Sequence, residues 1–331
     1  PIEEGNGPLI AAMSDPAIRI VSLTVTEGGY YIDAASGGFD AHHDDIVHDA
    51  AHPDTPRTAF GAIIAALAAR RAAGHGPFTL QSCDNLQGNG AILRQTVVSL
   101  AQMVDPDLAR WIVAEASFPN SMVDCIVPAT GAQEIARALR LGIDDAAPVT
   151  HENFRQWVIE DDFCAGRPDW DQVGATFTDD VHAYEAMKIR MLNGTHSTLA
   201  YLGYLAGHET IADAVADPAL RSLIRKIWSD EIIPTLEPPE GVDLQRYADE
   251  LLERYSNPAI RHRTWQIAMD GSQKLPQRIL GTIADRVALN RPCDGLFLAV
   301  AAWMRYVGGV DEQGRPIDVQ DPLADRLRAL S

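Results

Sequence analysis

Hydrophobic positions along this chain change rhythm about halfway. Arg19-Ile-Val-Ser-Leu-Thr-Val25 is a short β-branched run that ends in the turn signal Thr26-Glu-Gly-Gly-Tyr30. Ala59 to Ala73 is Ala-rich with helical spacing and is closed by Gly74 and Gly76. Phe78-Thr-Leu-Gln-Ser-Cys83 reads as the next strand and Gly90 to Val104 as the next helix. Trp111 to Ser117 reads as a third strand in preference to a continued helix. Strands and helices alternating at this interval predict βαβ units around a parallel sheet, whose ligands sit beyond the carboxyl ends of the strands. Thr26-Glu-Gly28, Asp84-Asn85 and Ser117-Phe-Pro-Asn120 fall at such ends. From about Thr178 the pattern is helical: Val181 to Ala206, Ile211 to Val215, Pro218 to Ile233, Leu244 to Tyr255, Ala259 to Met269, Pro276 to Ala288 and Gly295 to Tyr306. Asp-Pro, Glu-Pro-Pro, Asn-Pro and Asp-Gly signals separate these helices.

Composition narrows the partners. The 331 residues carry 46 acidic against 27 basic side chains, a net charge of −19. Such a surface repels nucleic acid and anionic membrane, which argues against either as a partner. No apolar run reaches the ~18–20 residues of a spanning helix. Cys83, Cys125, Cys164 and Cys293 lie far apart without CxxC spacing and fit a reducing cytoplasm. Only Lys188, Lys226 and Lys274 are lysines, and residues 1–178 contain none. A chain that nearly avoids lysine draws attention to each one.

Lys188 opens Lys-Ile-Arg-Met-Leu-Asn-Gly-Thr-His196. On a regular α-helix, His196 and Asn193 fall about 80° and 140° from Lys188, on one broad face. A cation, an amide and an imidazole together suit the handling of a hydroxyl or carbonyl. A desolvated lysine can serve as a base near neutrality, and an amide can donate to an oxygen that gains charge. The competing reading is a partly exposed helix with a surface lysine and an Asn-Gly break.

The segment Tyr184-Glu-Ala-Met-Lys-Ile-Arg-Met-Leu-Asn-Gly-Thr-His-Ser-Thr-Leu-Ala-Tyr-Leu-Gly-Tyr204 resembles the mannitol dehydrogenase family, the long-chain polyol and hexuronate dehydrogenases with a Lys-x4-Asn-x2-His signature. Ser82-Cys-Asp-Asn-Leu86, Ser117-Phe-Pro-Asn-Ser-Met-Val-Asp124, Asp270-Gly-Ser-Gln-Lys-Leu-Pro276 and Trp303-Met-Arg-Tyr-Val-Gly-Gly309 carry the same resemblance. It implies an α/β fold: an incomplete Rossmann-type parallel sheet over residues 1–178, followed by a mainly α-helical, 6-phosphogluconate-dehydrogenase-like C-terminal domain over 179–331. It implies a metal-independent enzyme that uses NAD, or NADP, to interconvert a secondary alcohol and a ketone. Lys188 would be the general acid/base, Asn193 and Asn85 the cradle for the developing alkoxide, and His196 a hydrogen-bonding partner near the reacting carbon. Val123, Asp124 and Lys274 would line the substrate site. Thr26, Glu27, Gly28 and Asn120 would meet the cofactor.

The chain departs from the family in places. Relatives carry Val-Asp-Arg where this chain has Val123-Asp124-Cys125, so any carboxylate held by that arginine is expected to be altered here. Gln266 replaces an arginine of some mannitol-specific relatives, and Trp265-Gln-Ile-Ala-Met269 looks at least as much like the fructuronate reductases. Mannitol and mannonate therefore stay open as substrates. The only Gly-x-Gly after a strand is Gly88-Asn-Gly90, a weak candidate for a pyrophosphate loop. With Pro1 first and an early stop at Ser331, the sequence reads as a dehydrogenase lacking its first βαβ half. A non-catalytic sugar-binding relative is the alternative of another class. The stretch Asp40-Ala-His-His-Asp-Asp-Ile-Val-His-Asp-Ala-Ala-His52 reads as a solvated connection in preference to a metal site.

Overall fold

The computed structural model describes residues 5–33 and 36–330, and Pro1 lies outside them. The chain divides into two compact units, Pro1–Val123 with Gln156–His182, and Asp124–Arg155 with Ala183–Ser331. The expected cut at 178/179 falls just before the last passage into the second unit. Residues 124–155, expected in the first domain, group with the second, where Ile126 joins the core.

The first unit holds helices α1 Gly7–Ser14, α2 Asp44–Ala51, α3 Ala59–Ala72, α4 Asn89–Val104 and α5 Pro106–Glu115. Its strands are β1 Ile20–Leu23, β2 Thr79–Ser82, β3 Ser121–Asp124, β4 Gln156–Glu160 and β5 Thr176–Thr178. The first and second strands pair in parallel, Ile20 opposite Thr79 through Leu23 opposite Ser82. Every residue of β2 is fully buried, as a parallel strand covered on both faces should be. The other sheet runs β3-β4-β5, with β4 and β5 parallel. Leu80 N–H donates to the Ser117 carbonyl, and the Ser121 hydroxyl donates to the Ser82 carbonyl, joining β2 to the approach of β3. Phe60, Ile63, Ile64 and Leu67 of α3 share the core with Leu93, Val97 and Leu100 of α4. Burying each such side chain is worth about 1.5–3 kcal/mol.

Trp111–Ser117, read as a strand, is mostly helix. Pro106 occupies the first turn of α5, and the Asp105 side chain accepts from Asp107 N–H as its N-cap. Leu108, Ala109 and Ile112 then form a buried face at helical spacing while Val113 is exposed.

The second unit is helical: α6 Ala132–Arg140, then α7 Val181–Met187, which enters it, α8 Thr195–Leu205, α9 Ile211–Ala216, α10 Pro218–Lys226 and α11 Leu244–Tyr255. These are followed by α12 Thr264–Ile267, α13 Gly271–Leu275, α14 Gly281–Ala288, α15 Asp294–Val307 and α16 Ala324–Leu330. The helix expected over 259–269 shrinks to α12 because the backbone before it pairs elsewhere. Ile211 N–H donates to the His262 carbonyl and Thr264 N–H to the Glu209 carbonyl, forming a strand-like bridge. Three π-helical segments, Lys188–Gly194, Ile227–Ile232 and Pro276–Leu280, interrupt the α-helices. No described helix is long and apolar enough to cross a membrane.

Candidate active site

Lys188 begins the first π segment. A π turn closes five residues apart, so Asn193 lies one hydrogen-bond step beyond Lys188 and close to the same side. The α-helical angles expected for these two residues do not apply, because the wider turn brings them into nearer register. Such a turn is held from outside. The Met191 carbonyl accepts from Trp228 Nε1 at 3.0 Å and from the Thr195 hydroxyl, and the Leu192 carbonyl accepts from the Tyr255 hydroxyl at 2.6 Å. Trp228 itself belongs to the second π segment. At the end of the first, a Cβ on Gly194 would stand 2.6 Å from the Arg278 carbonyl oxygen of the third. Glycine lets these two backbones approach.

Lys188, Asn193 and His196 are 4%, 8% and 5% exposed. The rings of Trp228, Tyr255 and His196 lie nearly parallel, with centroids 6.4 and 5.3 Å apart, and His262 meets His196 edge-on at 4.8 Å. Burial pushes the His196 imidazole well below the usual range, and His262 and the cations Arg278, Arg254 and Lys188 push the same way. It is therefore neutral, with one donor and one acceptor nitrogen. His196 Nε2 and Asn193 Oδ1 are buried without a hydrogen-bond partner. Leaving such an atom unsatisfied costs about 1–3 kcal/mol, which a ligand hydroxyl would offset.

Asp124 and Glu152 converge on Arg254 at the end of α11. The guanidinium forms a bidentate pair with Asp124 at 2.8 and 2.9 Å, meets Glu152 at 2.7 and 3.0 Å, and stacks over Phe154. Burial pulls its pKa down, but the two carboxylates outweigh burial and carry it well above the ordinary value. The expected loss at Cys125 is thus not a loss of charge pairing at Asp124: the arginine comes from another part of the chain. The Cys125 thiol instead lies 3.8 Å from His151 Nδ1, its pKa raised by burial and then by Glu152 and Asp124. Lys274 Nζ donates to the Met269 carbonyl at 2.9 Å and stands 3.7 Å from Asp270.

The remaining expected site residues belong to the first unit. Asn85 is exposed and follows β2, and Val123 is half-buried in β3. The Asp84 carboxylate accepts from Val25 N–H at 3.0 Å, Thr26 N–H at 2.9 Å and the Tyr30 hydroxyl at 2.7 Å. It thereby fixes the Thr26-Glu27-Gly28 loop beyond β1, with Thr26 at φ 64°. Such a preformed loop at a strand's carboxyl end fits one end of a dinucleotide. The start of α4 does not fit the pyrophosphate, because Asn120 Oδ1 already accepts from Gly90 N–H at 2.9 Å and Ala91 N–H at 3.3 Å. Gly90 is there for packing: a Cβ would collide with the Phe118 carbonyl oxygen. The other end of the Asn120 amide donates to Glu160 at 2.8 Å. In the histidine-rich stretch, His48 and His52 stack at 4.6 Å while His43 caps α2. Among the described residues no group of three or more His, Cys, Asp or Glu side chains is arranged to hold a metal ion.

Sequence reasoning missed Arg254, Glu152, Tyr255, His262 and Asn89. Asn89 ties three elements together, donating to the Ser82, Asp84 and Ser121 carbonyls and accepting from Ser121 N–H. Arg254 lies 102 residues from Glu152 and 130 from Asp124, so no local spacing links them.

Known proteins match the chain over nearly its whole length. Residues 3–172 match the mannitol dehydrogenase Rossmann domain, and residues 180–331 match the mannitol dehydrogenase C-terminal domain. The chain is 51% identical over 341 residues to D-mannonate oxidoreductase of Escherichia coli, covering 99% of this chain and 70% of that protein. It is 50% identical over 332 residues to mannitol 2-dehydrogenase of Cereibacter sphaeroides, covering 99% and 69%. The structure of Pseudomonas fluorescens mannitol 2-dehydrogenase in ternary complex with NAD and D-mannitol matches with a TM-score of 0.94 at 45% identity, covering 99% and 67%. The chain thus spans about two thirds of the length of the curated relatives it matches.

Proposed function

The chain belongs to the mannitol dehydrogenase family, and from that membership we propose that it interconverts an open-chain polyol, mannitol or a close relative, and its 2-ketose, using NAD and no metal. The observation that carries this reading is the buried Lys188 sharing a π turn with Asn193 while Asn193 Oδ1 and the nearby His196 Nε2 stay unpartnered. NAD, when bound, takes up or returns the hydride. In oxidation, Lys188 Nζ in its neutral amine form accepts the proton of the reacting hydroxyl; in reduction its ammonium form returns it. Asn193 cradles the substrate oxygen as it gains charge, half a turn of its amide presenting Nδ2 to it, and by the family resemblance Asn85 would share that task. His196, kept neutral, bonds a hydroxyl beside the reacting carbon. Val123 and Asp124 line the polyol chain, with Asp124 held in place by Arg254, and Lys274 meets the far end. Thr26, Glu27 and Gly28 meet the cofactor, while Asn120 holds the start of α4.

NADH consumption with fructose tests the reading, and Lys188→Ala must lower it about 10²–10⁴-fold. Polyol binding without NADH oxidation would instead support a sugar-binding relative. Gln266, in place of a mannitol-associated arginine, favours a second substrate, the hexuronate fructuronate with mannonate as its product. A panel of mannitol, arabinitol, sorbitol and mannonate decides by the ranking of kcat/KM.

A further inference from the structure

His262 plays no part in the mechanism above, yet its chemistry matches that of its neighbour. It sits in the second unit just before α12, and its own carbonyl is tied to Ile211 N–H, so the backbone there is fixed. Its ring meets the His196 ring edge-on, with centroids 4.8 Å apart and planes at 73°. His262 Nδ1 is buried without a hydrogen-bond partner, as is His196 Nε2. Two imidazoles in edge-on contact, from elements far apart in sequence, therefore each carry one orphaned nitrogen. Folding gains nothing from leaving both unsatisfied, whereas a ligand that bonds both recovers the loss.

The charges around the pair define that ligand. Burial holds the His262 pKa at about 4, and Lys274 pushes in the same direction. His196 is likewise neutral, with Lys188 among the cations acting on it. Each neutral ring offers one donor or acceptor nitrogen to its partner, which matches a hydroxyl, since a hydroxyl both donates and accepts. A carboxylate would find a better match in the lysines.

We infer that His262 is a second substrate-binding imidazole, reading through Nδ1 a hydroxyl of the polyol chain farther from the reacting carbon than the one His196 reads, on the side of Lys274. This rests on the polyol reading above and deepens it. His262 is a specificity residue for a polyhydroxylated chain, not a participant in proton transfer.

Three variants separate reading from packing. His262→Phe keeps a ring edge against His196 but removes the nitrogen. His262→Asn restores a polar atom close to the position of Nδ1, and His262→Ala removes both ring and nitrogen. The readouts are KM and kcat for fructose reduction, with mannitol affinity by calorimetry in the presence of NADH-free enzyme. Loss of one hydrogen bond to an uncharged group predicts that His262→Phe raises KM and weakens mannitol binding roughly 10-fold. It should leave kcat within about 3-fold, and His262→Asn should recover most of the loss. His262→Phe with wild-type KM and affinity, alongside an impaired His262→Ala, means the ring only packs and overturns the inference. If the wild-type protein neither turns over nor binds the polyol, the proposed function fails and the inference falls with it. If the wild type is active and His262→Phe is unchanged, the inference alone fails.

Discussion

The loops at the strand ends of the first unit and the π turn of the second use polar groups in opposite ways. At the strand ends of the first, side chains are consumed in holding backbone: Asp84 grips the loop after β1, Asn89 ties β2 to β3, and both ends of the Asn120 amide are committed. In the second, backbone is held by aromatic side chains, and the amide and imidazoles are left open. Trp228 and Tyr255 take the carbonyls that the π turn releases, while Asn193 Oδ1, His196 Nε2 and His262 Nδ1 stay unpartnered. On the proposed function the difference separates two tasks: a cofactor loop needs a fixed backbone, whereas a site that handles protons and hydroxyls needs side chains whose hydrogen bonds are not yet made.

The comparison can be broken first at the charge cluster. Arg254→Ala leaves the buried carboxylates of Asp124 and Glu152 uncompensated and should cost about 3–5 kcal/mol in urea unfolding. A loss under 1 kcal/mol would show that the cluster does not hold the second unit. Acid comes next. An unfolded histidine takes up a proton below about pH 6.5, but folded His262 does so only near pH 4. The unfolded state therefore binds more protons between these values, so stability is full above pH 6.5 and falls as the pH drops toward 4. His262 alone accounts for a loss on the order of 3 kcal/mol, and His262→Phe should remove that part of the slope. A slope unchanged in the variant would contradict the neutral ring.

Gly194→Ala should cost about 1–3 kcal/mol, because its methyl group meets the Arg278 carbonyl and forces two π segments apart. Activity should fall more than stability if that contact sets the register of Lys188 and Asn193. Tyr255→Phe is the mildest test. Losing the bond to the Leu192 carbonyl should cost about 1 kcal/mol while the stack on His196 survives. A Tyr255→Phe protein as stable as wild type would show that the π turn needs no such bolt.

Much of this was legible in the sequence where the signals are local. The β1 and β2 runs, α3, α4 and the long helices of the second half follow from hydrophobic spacing, and Lys188, Asn193 and His196 lie within nine residues of one another. The π turn was not legible, because apolar spacing does not separate a five-residue turn from a four-residue one over so short a stretch. The α5 helix was misread because Trp111-Ile-Val113 looks β-branched, and the cap at Asp105 outweighed that preference. Arg254 and His262 were missed because their partners lie far along the chain, and only folding brings them to Asp124, Glu152 and His196.

The most direct test is Lys188→Ala assayed for NAD-linked mannitol oxidation with and without added methylamine. The account predicts a loss of about 10²–10⁴-fold with the fold intact, and partial recovery as the amine is added and the pH is raised. A variant that keeps activity within about 10-fold of wild type, and ignores the amine, would contradict Lys188 as the base.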